Sequence, residues 1–383
     1  MNVIIVARSK IASVTLCGDV QLRKLQEQGK LNYHFVPSQK ISSKELNWAD
    51  IIVFLRSEGL MEYYASELAK KYGRHTIYVI DDDLLNVPLY MSSGPYYAKE
   101  TIKNNIKLIM NNCDTLLTTS PNLYKKYGDL FNEKYLIKEP SLNIIDKKDS
   151  NERIRIGFAG SIDRTQDINQ ILEGALEKII EKYKNQIEVE FFGAKPDIVK
   201  KHNLKYIPYC ASYAGYTEKI KERNWDIGLA PMPITDFHKY KYVNKYVEYS
   251  SFGIATIFTN CEPYTFAIKD KQNGLLVNND TDEWFDALEL LINDEKTRKK
   301  ISNNCLKDAK ENYYIDNLAE DYYKKITKTY VQIEKQKIPN MWKQKVIFFC
   351  RKVVDKVLEQ GFKLPFWFVK YIFMKIQELF IKD

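Results

Sequence analysis

Clustered cysteine, histidine and long apolar runs are all scarce in this 383-residue chain. The six cysteines (Cys17, Cys113, Cys210, Cys261, Cys305 and Cys350) are scattered, with no C-x-x-C pair and no cysteine–histidine cluster. That argues against a disulfide framework or a zinc site, and the expectation is reduced thiols in a cytoplasmic protein. Four histidines leave little room for a metalloenzyme, so neither metal nor cofactor is expected. No apolar stretch approaches the ~20 residues that cross a bilayer. The first ten residues offer only Val3–Ala7 as an apolar run and no basic start, so no secretory leader is expected. With 45% hydrophobic and 28% charged residues the composition is that of a globular protein, long enough for two or three domains.

The net charge of +8 is unevenly placed. From Met341 onward nine basic residues stand against four acidic ones, so +5 of the +8 lies there. The remaining body is close to neutral, which argues against a broad nucleic-acid surface.

Short apolar runs alternate with amphipathic stretches over the first ~140 residues. The runs at 2–7, 33–37, 50–55, 76–80 and 114–119 read as strands buried on both faces, with helix-like spacing at 19–29, 58–73 and 97–112. Such alternation predicts βαβ units and a parallel sheet. Residues 139–152 are polar and turn-rich and read as a linker between a first domain (1–140) and a second. The pattern then restarts: strands at 153–160, 187–193, 204–208, 225–231, 254–259 and 274–277, and helices at 166–183 and from about Asp282 and Glu295. A long helix near Asp316–Lys335 closes this part. Two α/β domains (the second over 153–315) imply a cleft, with functional groups in the loops after strands.

The segment from Pro339 differs. Trp342, Val346, Phe349, Val353 and Val357 fall on one helical face, flanked by lysines, and LPFWFV (364–369) opens a second aromatic stretch. Aromatic faces bordered by lysine suit the surface of an anionic membrane, so 339–383 is expected to associate with its inner face. A pair of helices packed on the body or in a dimer is the alternative.

Three stretches could carry chemistry. In IGFAGSIDRTQDI (156–168) a buried strand runs into Gly160, a polar turn and a helix, which is an anion-binding arrangement that Arg164 could reinforce. In KYKYVNKYVEY (239–249), Lys241, Lys245 and Glu248 are spaced to share one helical face, with lysines for phosphates and a carboxylate for a ribose diol. In IDDDLLNVP (80–88), three consecutive aspartates end a buried strand, where they need water, a cation or a sugar.

Together, VIDDDLLNVP, GFAGSIDRTQDI, WDIGLAPMPITDFHKYKYVNKYVEY and the following FGIATIFTNCEPY… run resemble the GT-B glycosyltransferases, most closely the family 4 or group 1 branch of bacterial cell-surface polysaccharide assembly. The resemblance implies two Rossmann-like domains facing a cleft, with a nucleotide-sugar donor on the second and an acceptor on the first. It implies a retaining, metal-independent transfer to a lipid-linked or polymeric glycan. On that resemblance Glu248 binds the ribose, Gly253 allows close packing behind it, and Gly160, Ser161, Arg164, Lys241 and Lys245 meet the donor. Asp81, Asp82 and Asp83 orient acceptor or sugar. Where many members carry a second glutamate this chain has Tyr240, so His238 or Tyr240 stands in as the group at the donor sugar. The helix at 316–338 is expected to cross back to the first domain. A homodimer, a complex with another transferase, or a degenerate subunit that scaffolds one, stays open.

Overall fold

The computed structural model describes residues 1–145, 152–210, 212–328, 330 and 335–350. Two six-stranded, all-parallel sheets form it. The first has the order β2-β1-β3-β4-β5-β6, with β1 Asn2–Ala7, β2 Asn32–Pro37, β3 Ile51–Leu55, β4 His75–Ile80, β5 Thr115–Thr118 and β6 Glu133–Leu136. The second has the order β12-β11-β10-β7-β8-β9, with β7 Ile154–Gly160, β8 Ile187–Gly193, β9 Lys205–Ile207, β10 Ile227–Ala230, β11 Ala255–Thr259 and β12 Leu275–Val277. These are the two parallel α/β domains that the alternation predicted, in the GT-B arrangement that the resemblance implies.

The central strands are apolar throughout because helices cover both faces. Every residue of β3 is buried, and the first sheet separates two clusters, one containing Ile4, Phe54 and Tyr78, the other Val3, Val53 and Val79. Alternate side chains of one strand therefore feed opposite layers.

Some elements carry weaker signals. β6 (EKYL) is a polar edge strand with no apolar run, and the sequence reading has no strand there. The helix Pro121–Tyr127 is also missing from that reading, although Ser120 caps it by accepting the Leu123 N–H and proline opens it. Helices Ser43–Trp48, Asp197–Lys201 and Tyr213–Arg223 are likewise missing from that reading.

Two readings need correction. Residues 139–145 are not a solvated linker. Glu139 and Ser141 are buried, the Ser141 N–H donates to Tyr313 O (2.8 Å), and the Ile145 N–H donates to Ser251 O (2.9 Å). The closing helix is also shorter, Ile315–Thr327, and its Ala319, Tyr322 and Ile326 complete the first domain's core. The chain stays with that domain afterwards. Ile338 and Met341 are fully buried there, so the boundary drawn at Pro339 cuts through a packed segment. Of the basic aromatic segment, residues 351–383 lie outside the described residues; a helical stretch occupies 342–350.

Candidate active site

In each sheet the strand order reverses beside the first strand: between β1 and β3, and between β7 and β10. Parallel sheets leave a crevice at the carboxyl ends of such strands. The two crevices face each other and form one cavity of about 370 Å³, lined by Ser13, Arg56, Asp81 and Asp82 from one side and Gly160, Ser161, Arg164, Lys245 and Glu248 from the other.

On the first domain the organising residue is Arg56, which directly follows β3. Its φ of 48° is left-handed, a conformation that costs a non-glycine residue roughly 1–2 kcal/mol, and its N–H donates to Val79 O at 2.9 Å. Its Nη1 donates to Asp81 Oδ1 (2.8 Å), Asp82 Oδ2 (3.2 Å) and Ser13 Oγ (3.3 Å). Burial works against the charge of Arg56, but Asp81 and Asp82 outweigh it and hold the guanidinium above its usual range. Asp82 also receives Lys241 Nζ from the second domain at 3.0 Å. Burial opposes its ionisation, yet Lys241 and Arg56 bring its carboxyl down to about 2. Asp82 is thus a fixed carboxylate, able to accept hydrogen bonds but a poor proton carrier near neutrality.

Asp83 goes elsewhere. It is 1% exposed and takes Lys126 Nζ (2.6 Å), Tyr127 Oη (2.5 Å) and the Asn86 amide. It fastens the helix Pro121–Tyr127 and does not line the cavity, because Lys126 and Tyr127 draw its carboxylate to that helix.

On the second domain, Gly160 ends β7 so close to Gly193 (φ 84°) that a Cβ there would lie 2.1 Å from Gly160 O. Arg164 follows, held by Pro231 O (2.5 Å) and Asp167 (3.2 Å) at the start of the 19-residue helix Thr165–Tyr183. Lys245 and Glu248 lie on the helix Asn244–Ser250 and pair at 2.5 Å, and Tyr216 Oη donates to Glu248 at 3.0 Å. Lys241 is not on that helix. It precedes it in extended conformation, and so it faces the cavity from a loop and reaches across to Asp82. Gly253 matters for its left-handed φ of 61°, which turns the chain from this helix into β11.

The two residues expected to replace the missing glutamate do not line the cavity. His238 is 1% exposed; burial, reinforced by Arg164 and Lys241, lowers it to about 3, so it is a neutral imidazole hydrogen-bonded to Thr235 Oγ1 (2.8 Å). Tyr240 packs on the first domain's core beneath Lys126, whose Nζ lies 4.4 Å from the ring centre.

Sequence reasoning missed Arg56, Glu139, Tyr216 and Tyr242. Arg56 had a usable signal, a lone charge directly after the apolar run IIVFL. Glu139 sits in the stretch read as linker and had none. Among the described residues, Cys17, Asp81 and Glu139 form one group whose ligand-type atoms lie within 4.8 Å of one another. Burial raises Glu139 and Cys17, Asp81 is committed to Arg56, and Cys17 Sγ lies 3.4 Å from Glu139 Oε1.

Residues 153–294 match the family model described as glycosyl transferases group 1. The second domain is a group 1 glycosyl transferase domain. Arg164, Lys241, Lys245 and Glu248 fall inside the matched stretch, whereas Arg56, Asp81 and Asp82 fall outside it. Among solved structures the chain is similar to HepE of Anabaena in complex with UDP and glucose, at 11% identity and TM-score 0.61, over 85% of this chain and 99% of that one. It is similar to sucrose-phosphate synthase of Thermosynechococcus elongatus at 10% identity and TM-score 0.59, over 85% and 98%. It is also similar to TarM of S. aureus at 12% identity and TM-score 0.53, over 72% of this chain and 55% of that one. At such identities the likeness is one of fold. No curated protein sequence matches this chain.

Proposed function

We propose that the protein moves a sugar from a nucleoside-diphosphate donor to a lipid-linked or polymeric glycan at a membrane surface, with retention of configuration and without a metal. The observation that carries this reading is the convergence of Arg164, Lys241, Lys245 and Glu248 on one cavity opposite Arg56, Asp81 and Asp82. When the sugar–phosphate bond breaks, negative charge develops on the diphosphate, and Arg164, Lys241 and Lys245 beside it stabilise that charge. Glu248 accepts hydrogen bonds from the ribose diol, and Asp81 and Asp82 accept them from sugar or acceptor hydroxyls. Lys241 bridges to Asp82 in the structure, so a bound diphosphate competes with Asp82 for it. HepE has been solved with UDP and with UDP-glucose, which makes UDP the first base to try.

The test is thermal unfolding with UDP, GDP, dTDP and CMP in parallel, with and without Mg²⁺. One diphosphate should raise the Tm, by about 2.7 kcal/mol of stability at a hundred times its Kd, and to the same extent in both buffers. Stabilisation by none of the four would overturn the reading. Nucleotide binding without hydrolysis or transfer would favour a degenerate scaffolding subunit, for which the outward turn of Tyr240 is the specific support.

A further inference from the structure

A second cavity of about 330 Å³ lies in the first domain beside the cleft. Three segments build both. After β1, Arg8 lines the second cavity and Ser13 the cleft. After β3, Arg56 lines the cleft and Glu58, Gly59 and Glu62 the second cavity. Farther on, Met91 and Ser93 face the cleft while Tyr96 and Lys99 face its neighbour.

The chemistry of the second cavity is graded from inside to rim. Glu58 and Glu62 are 4% and 3% exposed. Glu62 takes the Ser38 hydroxyl, and Glu58 takes Tyr96 Oη at 3.4 Å, with Arg8 at 3.8 Å. Burial raises both carboxyls, Glu58 to about 7, so near neutrality Glu58 can donate as well as accept a hydrogen bond. Arg8 is an exposed cation whose guanidinium lies 4.8 Å over the Tyr96 ring, and Lys99 is a second exposed cation. Met61 and Ile102 form an apolar side, which Phe348 of the helical stretch 342–350 completes. That stretch is anchored by the strap before it. The Asn47 side chain donates to Ile338 O (3.0 Å) and accepts its N–H (2.8 Å), and Arg74 donates to Gln336 O (3.1 Å). Trp342 and Ile347 of the same stretch are exposed.

We propose that this second cavity binds the glycosyl phosphate head of an amphiphile, with hydroxyls on Glu58, Glu62 and Ser38, phosphate on Arg8 and Lys99, and the apolar chain leaving past Phe348. A plain glycan would make no use of the two rim cations, and a plain phosphate would make no use of the two carboxyls within. The assignment rests on the reading of the protein as a transferase acting at a membrane and gives its acceptor a place beside the donor.

The probes are glucose 1-phosphate and its decyl phosphodiester, titrated into the full chain saturated with UDP and followed by calorimetry. Both bind, the decyl form about tenfold tighter, the worth of two buried methylenes. Arg8→Glu and Glu62→Gln each weaken both probes by about fivefold or more, the scale of one hydrogen bond. Phe348→Ala removes only the decyl advantage. UDP affinity, measured on each variant, stays at the wild-type value for Arg8→Glu and Phe348→Ala, neither of which lines the cleft. Displacement of glucose 1-phosphate by UDP, or unchanged probe binding in Arg8→Glu and Phe348→Ala, overturns the proposal. A decyl advantage with no response to the bare glucose 1-phosphate also overturns it, because the chain alone is then recognised. If the wild type binds the probes as described but no nucleotide, the transferase reading falls and the cavity assignment stands.

Discussion

At the scale of single residues, neighbours in sequence have been given opposite tasks. Asp82 is held ionised in the cleft by Arg56 and Lys241, while Asp83 ties down a helix behind it. Glu248, paired with Lys245 and Tyr216, is the residue whose loss reports on the donor site. Glu248→Ala should weaken nucleotide-sugar binding by about tenfold or more, since it removes hydrogen bonds to a carboxylate, and leave the circular dichroism spectrum unchanged; unaltered affinity would remove Glu248 from the site. Glu58 makes a different prediction. Burial, then the nearby Glu62, raises its folded carboxyl to about 7, whereas the unfolded chain ionises near its ordinary value of 4.5. Between those values the folded state holds the extra proton, so stability present below about pH 4.5 is lost as the pH rises toward 7. Glu58→Gln should flatten that part of the stability profile and recover roughly 2–3 kcal/mol at pH 8, read from urea midpoints at several pH values.

At the scale of elements, the parts that positioned the site were the easiest to read. β1, β3, β4, β7 and β10 are apolar on both faces because they are central, and that made them visible as continuous runs. β6 escaped notice because an edge strand has one solvated side and tolerates EKYL. The helix Asn244–Ser250 is only seven residues long, so a periodicity argument extended it backward to Lys241, which stands in the loop before it. The helix Ile315–Thr327 offers a clean test of packing between the ends of the chain. Tyr322 is 1% exposed within the first domain's core, and its hydroxyl has no hydrogen-bond partner. Tyr322→Phe should keep or raise the Tm, by up to about 1 kcal/mol, because it removes an unsatisfied buried hydroxyl. Tyr322→Ala should cost about 3–5 kcal/mol through the cavity it leaves. A Tm loss in the phenylalanine variant comparable to that in the alanine variant would show that the hydroxyl is bonded after all.

At the scale of the whole molecule, polar contacts join the two domains, and Tyr240 of the second packs on the core of the first. Lys241 meets Asp82, Ser92 donates to Asp163 at 2.7 Å, and Asn122 donates to Lys239 O and Glu262. The C-terminal region divides in the same concrete way. A chain ending at residue 350 keeps Ile338 and Met341 in the core, so its Tm should match the full chain while its binding to phosphatidylglycerol vesicles falls away. A chain ending at residue 337 loses both side chains and should be destabilised by several kcal/mol, at about 2–5 for each buried aliphatic group removed. Vesicle binding undiminished in the 350-residue chain would place the membrane contact elsewhere. By itself the sequence determined the two-domain parallel architecture and the residues after β7 and β10 that line the cleft, because hydrophobic period and strand-end position are local properties. Only the tertiary structure decided that Arg56 and Glu139 join the cleft while Asp83, His238 and Tyr240 leave it. Which way a loop side chain turns depends on partners more than a hundred residues away, such as Lys241 for Asp82 and Tyr242 for Glu139, and no spacing along the chain encodes those meetings.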